Sequence, residues 1–303
     1  MNTLCVGLAM NFRVVVLGPN FRQLSPENIN PAYRRTGNRL ILLDYDGTVI
    51  PQGLITKAPS QEVIQVLNEL CSDPKNTVFV VSGRKKDELA RWFAPCDRLG
   101  ISAEHGYFTR WSRDSPWESS NLVVDFDWKN IAHPVVKHYA DATDGSYIEP
   151  KETALVWHYE DADPDFGSCQ AKELLDHLQV VLAKEPVSVK SGHQIVEVNP
   201  QGVSKGIAVE NLIATMGTRG SMPDFILCVG DDRSDEDMFE AITASSSKSA
   251  FPDTAEIFAC TVGNKPSLAK YYLDDPADVL KMLQCLKDSS AQHPVASQHQ
   301  LFD

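Results

Sequence analysis

The chain has 303 residues, of which 43% are hydrophobic and 23% are charged, and its formal net charge is −13. This length and composition suit one large globular domain or two smaller ones with a full hydrophobic core. The acidic charge argues against a nucleic-acid or membrane partner, because anionic partners attract a basic patch.

Seven cysteines occur singly, without the Cys-x-x-Cys spacing of zinc or redox sites, which predicts reduced thiols. The first residues are apolar, but no basic leader precedes them and Arg13 interrupts the run. No stretch of the sequence is long and apolar enough to span a bilayer. These features predict a cytoplasmic protein, with a nuclear location as the alternative.

From residue 39 to residue 106, apolar β-rich runs alternate with helical patterns. Near-continuous apolar runs such as Val78–Val81 favour strands of a parallel sheet that is covered on both faces. The segments, in order, are RLILLD, PSQEVIQVLNELCSD, TVFVVSG, RKKDELARWFAP and LGISAEHG. This βαβαβ order predicts an α/β fold with a doubly wound parallel sheet.

The pattern changes after residue 106, where apolar and polar residues alternate as in an antiparallel sheet with one solvated face. The segments are FTRWSRD, LVVDFDW, TALVWHYE and HQIVEVNP, with the helical QAKELLDHLQVVLAKEP between them. The parallel pattern resumes at KGIAVENLIATMG and continues through FILCVGDD, EDMFEAI and FACTVG. We therefore predict an inserted α+β cap domain at 110–201, a core at 38–109 and 202–287, and a disordered polar tail at 288–303.

Polar and charged residues collect where the predicted parallel strands end, which is where open sheets bind ligands. These residues are Asp44, Asp46, Ser82, Arg84, Asp231, Asp232 and Asp235, with Lys205 at the start of the helix before the last strand. Clustered carboxylates repel one another unless a cation lies between them, and Mg²⁺ prefers oxygen ligands. The sequence therefore predicts a Mg²⁺ site at this edge of the sheet.

The motifs DYDGT, VSGR, a lone lysine and GDDRSDED resemble, in order and spacing, the four motifs of the haloacid dehalogenase (HAD) superfamily. The resemblance implies that Asp44 is a nucleophile that forms an aspartyl-phosphate, and that Asp46 is the general acid and base. It also implies that Ser82 holds a phosphoryl oxygen and that Lys205 neutralises charge.

The same resemblance implies a set of residues around Mg²⁺. Asp44, the carbonyl group of Asp46 and Asp231 are the expected ligands, and Asp235 is expected to support them. Two alternatives remain open at this stage, since Ser82 is also a plausible helix cap. Lys205, taken alone, is also compatible with a solvated helix residue.

The segments SGR, AEHG, ALVWHYE, IVEVNPQGVSKG and CVGDDRSDEDMFE are similar to those of trehalose-6-phosphate phosphatases. They are especially similar to the phosphatase-like C-terminal part of plant class II trehalose-phosphate synthases. The resemblance covers nearly the whole chain, and residues 1–37 resemble the end of a glycosyltransferase domain and a linker. It implies Mg²⁺-dependent hydrolysis of trehalose 6-phosphate, with a small sugar phosphate as the partner.

The resemblance also suggests which residues contact the substrate, most of them in the cap that closes over the site. The candidates are Arg84, Lys151, Glu152, Lys190 and Glu197. The chain departs from active relatives at one position, because Glu160 stands where they commonly have arginine. A carboxylate near a phosphorylated sugar repels it, so Glu160 argues against turnover.

Two alternatives to hydrolysis therefore stay open. The first is a catalytically weak regulatory module that binds trehalose 6-phosphate or a regulatory protein partner. The second is phosphomannomutase-type transfer, because such enzymes also combine DxDGT with an inserted cap. The trehalose-phosphatase-like tail KYYLDDPADVLKML and GDDRSDED disfavour this second alternative.

Overall fold

The computed structural model describes residues 21–120, 125–248 and 250–291, together with the backbone of two strands before residue 21. The strands are β1 (Thr3–Leu8), β2 (Asn11–Val16), β3 (Arg22–Gln23), β4 (Arg39–Leu43), β5 (Asn76–Val81), β6 (Gly100–Ala103), β7 (Phe108–Arg110), β8 (Glu118–Ser119), β9 (Tyr147–Pro150), β10 (Leu155–His158), β11 (Val187–Gly192), β12 (Ile195–Pro200), β13 (Phe225–Gly230), β14 (Glu256–Val262) and β15 (Tyr271–Leu273). The helices are α1 (Pro26–Arg35), α2 (Gln61–Ser72), α3 (Lys86–Trp92), α4 (Trp128–Ala142), α5 (Pro164–Val181), α6 (Lys205–Thr218), α7 (Arg233–Ser247) and α8 (Pro276–Ala291).

The large sheet has nine strands in the order β3-β15-β14-β13-β4-β5-β6-β7-β8. The strands from β3 to β6 in this order are parallel, and β7 and β8 continue the sheet antiparallel. A doubly wound, mainly parallel sheet is therefore confirmed. Strands β1 and β2 pair only with each other among the described elements.

Helices cover both faces of this sheet. Ile41 of β4 belongs to a buried cluster with residues of α1, α2 and α8 on one face. The next residue, Leu42, belongs to a second cluster with residues of α6 and α7 on the other face. Since both faces are covered, all five residues of β4 are buried, as expected for an apolar parallel strand.

The insertion forms a second sheet of four antiparallel strands in the order β11-β12-β10-β9. Trp157 of β10 packs with residues of α4 and α5 in a separate core on one face of this sheet. The opposite face carries Glu149, Val156 and Glu197, which are neighbours in the strand register. We call this the open face. Next to it, Lys151 donates a hydrogen bond to the carbonyl oxygen of Gly83, in the turn after β5. We call the boundary between the open face and the carboxyl edge of the large sheet the cleft.

Residues 22–35 belong to the segment 1–37, which is predicted to be a linker and a glycosyltransferase remnant, and in the structure they pack on the core. Strand β3 pairs with β15, so it extends the large sheet at its edge. Helix α1 buries Ile29 and Tyr33, and the Tyr33 ring lies 5.4 Å from that of Phe225 in an edge-to-face contact. The spacing of these apolar residues is helical, which was the available signal. Residues 1, 2, 9, 10 and 17–20 lie outside the described residues.

The two other predicted boundaries also shift. Strands β7 and β8 form a hairpin on the large sheet, so the elements of the cap begin with α4 and not at residue 110. Helix α8 continues to Ala291 because Leu286 and Ser289 are buried, so 288–291 are helical. The remainder of the predicted tail, 292–303, and the first three residues of LVVDFDW, 122–124, lie outside the described residues, and 125–128 do not form a strand.

Candidate active site

Asp44 follows β4 directly and lies at the carboxyl edge of the large sheet. Its side chain is buried, and its Oδ1 accepts a hydrogen bond of 2.5 Å from Nζ of Lys205. Lys205 is the first residue of α6, a helix capped by the hydroxyl of Ser204. The same Nζ donates to Oδ1 of Asp235 at 2.8 Å. One buried ammonium therefore serves two buried carboxylates, so Lys205 is not a solvated helix residue.

The second oxygen of Asp235 is also occupied. Oδ2 accepts the backbone N–H groups of Asp231 and Asp232 at 2.8 and 2.9 Å, and Asp235 is part of the capping box of α7. A Cβ at Gly230 would lie 2.3 Å from Cβ of Asp235, so a side chain there would displace Asp235. The role of Asp235 is therefore to hold Lys205 and the loop that carries Asp231.

The pKa values show that this cluster carries more negative charge than Lys205 neutralises. Burial raises the pKa of Asp44 well above its ordinary range, and the charge of Asp235 raises it further. Burial and the charge of Asp235 also raise the pKa of Asp231 to about 6. The pKa of Lys205 is itself raised, because the charges of Asp235 and Asp44 outweigh the effect of burial. Lys205 is therefore charged. The charge of Lys265 opposes the shift at Asp231 but does not return its pKa to the ordinary value.

Carboxylate oxygens of Asp44, Asp231 and Asp235 all lie within 4.8 Å of one another. This oxygen-only, under-neutralised set fits a hard divalent cation such as Mg²⁺. Asp44 and Asp231 are the better ligands, since both oxygens of Asp235 already accept hydrogen bonds. The side chain of Asp46 is outside this group of three, which leaves only its carbonyl group as a candidate ligand.

Asp46 pairs instead with Arg84, which the sequence analysis assigned to substrate binding. Nε and Nη2 of Arg84 donate to the two carboxylate oxygens of Asp46 at 2.7 and 2.8 Å, a bidentate geometry. The guanidinium also lies 5.2 Å from the ring centroid of Trp92. The pairing occupies much of the hydrogen-bonding capacity of Arg84, so the structure links this residue to Asp46 rather than to a free binding surface.

Ser82 follows β5 and is buried at the same edge of the sheet. Its Oγ accepts the backbone N–H of Arg84 at 3.2 Å. It is not the cap of α3, since the N-cap residue of that helix is Lys85. The Ser82 hydroxyl thus shapes the turn between β5 and α3 and lies at the edge where Asp44 lies.

The open face of the cap carries two of the predicted substrate residues, Lys151 and Glu197. Their side chains are buried, and Nζ of Lys151 lies 3.1 Å from Oε1 of Glu197. The other carboxylate oxygen of Glu197 is hydrogen-bonded to Nε2 of His105 at 3.1 Å. Burial opposes ionisation of Glu197, but the charge of Lys151 and the contact with His105 hold its pKa well below the usual range. Lys151 also donates to the carbonyl oxygen of Gly83 at 3.0 Å.

The other two predicted cap residues are placed differently. Glu152 is exposed and pairs with Lys86 of α3 at 2.6 Å, so it joins the cap to the core at the surface. Lys190 lies opposite Glu197 in the strand register and lines a cavity of about 530 Å³ next to residues 200–204. Its side chain is therefore on the same face as Glu197, but it is exposed rather than buried with the Lys151–Glu197 pair, so it is a weaker candidate.

Sequence reasoning missed Glu149, which lies on β9 two residues before Lys151. It contacts His158 at 3.1 Å and Lys85 at 3.3 Å. Burial raises its pKa, but the hydrogen bond with His158 and the charges of Lys151 and Lys85 outweigh burial and lower the pKa to about 2. The period of two along a strand was the signal that links Glu149 to Lys151.

Glu160 does not lie beside the buried pair on the cap. It follows the outer end of β10, is exposed, and accepts a hydrogen bond of 3.1 Å from the Tyr147 hydroxyl. The end of the cap that contacts Gly83 is near Ala154, because Lys151 bonds the carbonyl oxygen of Ala154. His158 lies four residues further along the chain than Ala154, which is about 13 Å in an extended strand. The expected repulsion of a phosphate by Glu160 is thus weak.

A family model described as trehalose-phosphatase matches residues 42–277. The chain belongs to the trehalose-phosphatase family. The match includes Asp44, the whole cap and the loop that carries Asp231, so the resemblance inferred from the motifs is confirmed. Family membership places the chain among proteins of trehalose biosynthesis.

Curated relatives agree with this assignment. The chain is 61% identical over 286 residues to "Probable alpha,alpha-trehalose-phosphate synthase [UDP-forming] 11" of Arabidopsis thaliana, which covers 94% of the chain and 33% of that protein. It is 37% identical over 267 residues to a trehalose-phosphatase of Schizosaccharomyces pombe, covering 86% of the chain and 32% of that protein. The chain thus spans about a third of the length of these relatives.

A solved structure also matches. The C-terminal domain of Candida albicans trehalose-6-phosphate phosphatase superposes with a TM-score of 0.81 at 34% identity, covering 88% of this chain and 98% of that one. Independently of these matches, no helix in the described part of the chain has the length and apolar character needed to cross a membrane.

Proposed function

We propose that the chain hydrolyses trehalose 6-phosphate to trehalose and phosphate through an aspartyl-phosphate on Asp44. The observation that carries this proposal is the buried cluster of Asp44, Lys205 and Asp235, with Asp231 beside it. Lys205 bonds Oδ1 of Asp44, which leaves Oδ2 as the nucleophilic oxygen. A buried carboxylate held by a fixed cation is the arrangement that in-line attack on phosphorus requires.

The first half-reaction forms a bond between Oδ2 of Asp44 and phosphorus while the bond from phosphorus to the sugar oxygen breaks. Asp46, in its protonated form, gives its proton to the departing oxygen. In the second half-reaction, the Asp46 carboxylate takes a proton from water as the water oxygen bonds to phosphorus. The bond from Asp44 to phosphorus then breaks, which releases phosphate and restores both carboxyl groups.

The chain's own residues set the charges for these steps. Ser82 is at the same edge of the sheet and is the proposed donor to a phosphoryl oxygen, and Lys205 neutralises Asp44. Asp44, Asp231 and the carbonyl group of Asp46 are the proposed ligands of Mg²⁺. When bound, Mg²⁺ supplies neutralisation of the phosphate charge.

The open face of the cap is the proposed site for the sugar. Lys151 and Glu197, with Glu149 next to them, present donors and acceptors suited to sugar hydroxyls. Because these groups are already paired, a sugar must exchange its hydrogen bonds with existing ones. Arg84 and Glu152 are weaker candidates because each already pairs with another residue. Lys190 is a weaker candidate because its side chain is exposed.

One observation favours the alternative of a regulatory module that binds the sugar phosphate or a protein partner with little turnover. Both oxygens of the Asp46 carboxylate are held by Arg84, so Asp46 must leave this geometry to reach the leaving oxygen or a water molecule. Binding of the phosphate to the Asp44 cluster does not depend on this movement. The two functions therefore share one site and differ in the freedom of Asp46.

Phosphate release from trehalose 6-phosphate, measured with Mg²⁺ and with a chelator, tests the proposal. We expect phosphate to be released in the presence of Mg²⁺ and not in the presence of the chelator. Phosphate release from glucose 6-phosphate, which lacks the second sugar ring, should be slower. Calorimetry on the Asp44→Asn variant separates binding from turnover. Tight binding without release by the wild-type chain supports the regulatory module. If the chain neither binds trehalose 6-phosphate nor releases phosphate from it, hydrolysis and sugar-phosphate binding are both rejected.

A further inference from the structure

Three successive carbonyl groups in the turn after β5 accept hydrogen bonds from outside the turn. The donors are the His105 amide to Ser82 at 3.0 Å, the Lys151 ammonium to Gly83 at 3.0 Å and the Glu104 amide to Arg84 at 3.0 Å. Two of these donors belong to the loop after β6, and the third belongs to the cap. The middle carbonyl of the turn is thus the place where the cap touches it.

The contact at Gly83 is tight. A Cβ on this residue would lie 2.6 Å from Nε2 of His105, so the imidazole packs directly on the turn. The same nitrogen contacts Glu197 of the cap at 3.1 Å. Both His105 and Glu104 have positive φ angles, 57° and 47°, which non-glycine residues rarely adopt. The core loop is therefore held in an unusual conformation where it meets the cap.

The turn ends at Arg84, whose guanidinium holds both oxygens of Asp46. A planar guanidinium that bonds both oxygens of a carboxylate fixes its direction as well as its distance. Two further contacts limit the movement of the guanidinium. It lies 5.2 Å from the ring centroid of Trp92, and it forms an ion pair of 3.6 Å with Glu88. A short chain of contacts thus joins Lys151 to Gly83, Gly83 to Arg84, and Arg84 to Asp46.

We propose that the Ser82–Arg84 turn transmits the position of the cap to Asp46, and that Arg84 is a positioning residue for this carboxylate. The proposal rests on the proposed function, because it assigns Asp46 its role in that reaction. When the cap moves away, Lys151 leaves the Gly83 carbonyl, and the turn and Asp46 lose their alignment. This coupling gives Lys151 a role in the second half-reaction, when no sugar is bound.

The second half-reaction can be isolated with p-nitrophenyl phosphate. Its leaving group departs as p-nitrophenolate without a proton from Asp46, and it has no sugar for the cap to bind. Hydrolysis of the aspartyl-phosphate still needs the Asp46 carboxylate to accept a proton from water. A residue that only binds sugar does not affect this reaction, whereas a residue that aligns Asp46 does.

The experiment compares Arg84→Gln and Lys151→Met with the wild-type chain on p-nitrophenyl phosphate. We expect both variants to lower kcat about tenfold or more, within the range of general base catalysis. Acid quenching should show more phosphorylated protein at steady state, because its hydrolysis is slowed. Arg84→Lys should recover part of the rate, since it keeps the charge but loses the bidentate geometry.

Lys86→Met is the matched control. It also removes a lysine that joins the core to the cap, through Glu152 at 2.6 Å, but no hydrogen bond of Lys86 to the Ser82–Arg84 carbonyls is present in the described structure. We expect its kcat and its phosphorylated fraction on p-nitrophenyl phosphate to match those of the wild-type chain. Equal losses in Lys86→Met and Lys151→Met would show a general effect of cap attachment and would overturn the proposal.

Unchanged kcat and phosphorylated fraction in Lys151→Met would also overturn it. A wild-type chain that cleaves p-nitrophenyl phosphate but not trehalose 6-phosphate would reject the proposed substrate, and the variants would still decide the coupling. If the chain cleaves neither compound, a crystal structure of Lys151→Met decides. A displaced turn with a broken Arg84–Asp46 pair supports the coupling, and an unchanged turn and pair overturn it.

Discussion

The core wall of the cleft, formed by Asp44, Asp231 and Asp235, and the cap wall, formed by Glu149, Lys151 and Glu197, both bury carboxylates. The two walls neutralise their carboxylates differently. On the core wall one lysine serves two acids, and the pKa of Asp44 is raised. On the cap wall Glu197 is bonded to Lys151 and His105, and its pKa is lowered.

The difference shows which wall still requires a ligand. Burial acts in the same direction on Asp44 and Glu197, so the opposite directions of their pKa shifts come from their partners. The core wall has an excess of negative charge that a cation relieves. The cap wall is already balanced, so a ligand there replaces existing contacts. The first wall is therefore suited to a metal ion and the second to a neutral sugar.

The largest expected effect is on turnover in Asp44→Asn. Without the nucleophile, kcat on trehalose 6-phosphate should fall on the order of 10⁴-fold or more. The melting temperature in a chelator should not fall, because the substitution removes one charge from a repulsive cluster. Glu149→Gln provides the comparison on the cap wall, where the nucleophile is retained. A variant of Asp44 with wild-type kcat contradicts the mechanism.

The next effect is on stability. Lys205→Met leaves Asp44 and Asp235 buried without their cation, which should lower the free energy of unfolding by about 3–5 kcal/mol. Lys151→Met should cost less, because Glu197 retains His105. Urea unfolding of the two variants at neutral pH measures the difference. Equal losses would show that the two walls depend equally on their lysines.

Mg²⁺ should raise the melting temperature relative to a chelator. A ligand present at about 100 times its dissociation constant stabilises a protein by about 2.7 kcal/mol. This increase in melting temperature should largely disappear in Asp231→Asn. It should persist in Glu149→Gln, because Glu149 is on the cap wall. Identical melting curves of the wild-type chain with Mg²⁺ and with chelator would reject the metal assignment.

A smaller effect concerns acid. Since the pKa of Glu149 in the folded chain is about 2 and the unfolded value is about 4.3, the folded state favours the ionised form. This contribution is complete well above pH 4.3 and is lost as the pH falls toward 2. The stability of the wild-type chain should therefore fall more steeply across this window than that of Glu149→Gln. Parallel urea midpoints of the two proteins against pH would contradict this.

The smallest effect is expected for Glu160→Arg. Because Glu160 is exposed and bonds the Tyr147 hydroxyl at the outer end of the cap, the change should alter affinity for trehalose 6-phosphate less than about threefold. Calorimetry at low and high salt measures it. A large gain in affinity that salt suppresses would place Glu160 close to the phosphate.

The fold was predictable from the sequence because apolar runs such as Leu40–Leu43 fit a strand that is buried on both faces. The edges of the domains were less predictable. Strand β3 has two residues and gains its identity only from pairing with β15, which is distant in the sequence. Similarly, β7 begins the segment FTRWSRD, in which apolar and polar residues alternate as in the cap strands, although β7 belongs to the large sheet.

For the candidate site, spacing identified the strand ends that carry Asp44, Ser82 and Asp231, but it did not identify side-chain pairs. Arg84 next to the SGR motif suggested a ligand for phosphate, whereas the structure pairs it with Asp46. Such pairs depend on distances between separate strands, and those distances follow from packing rather than from local sequence. Glu149 was missed because its partners, Lys85 and His158, lie on other elements.

The pairing of β3 with β15 has a consequence for synthesis of the chain. Arg22 and Tyr271, which are partners in the register, are separated by 249 residues. At about 5–20 residues per second, a ribosome takes roughly 10–50 s to make the intervening chain. Helix α1 and its apolar residues must wait for this time, since their partner α8 is made still later. During that interval the nascent chain exposes Ile29 and Tyr33, and molecular chaperones are expected to bind this segment first.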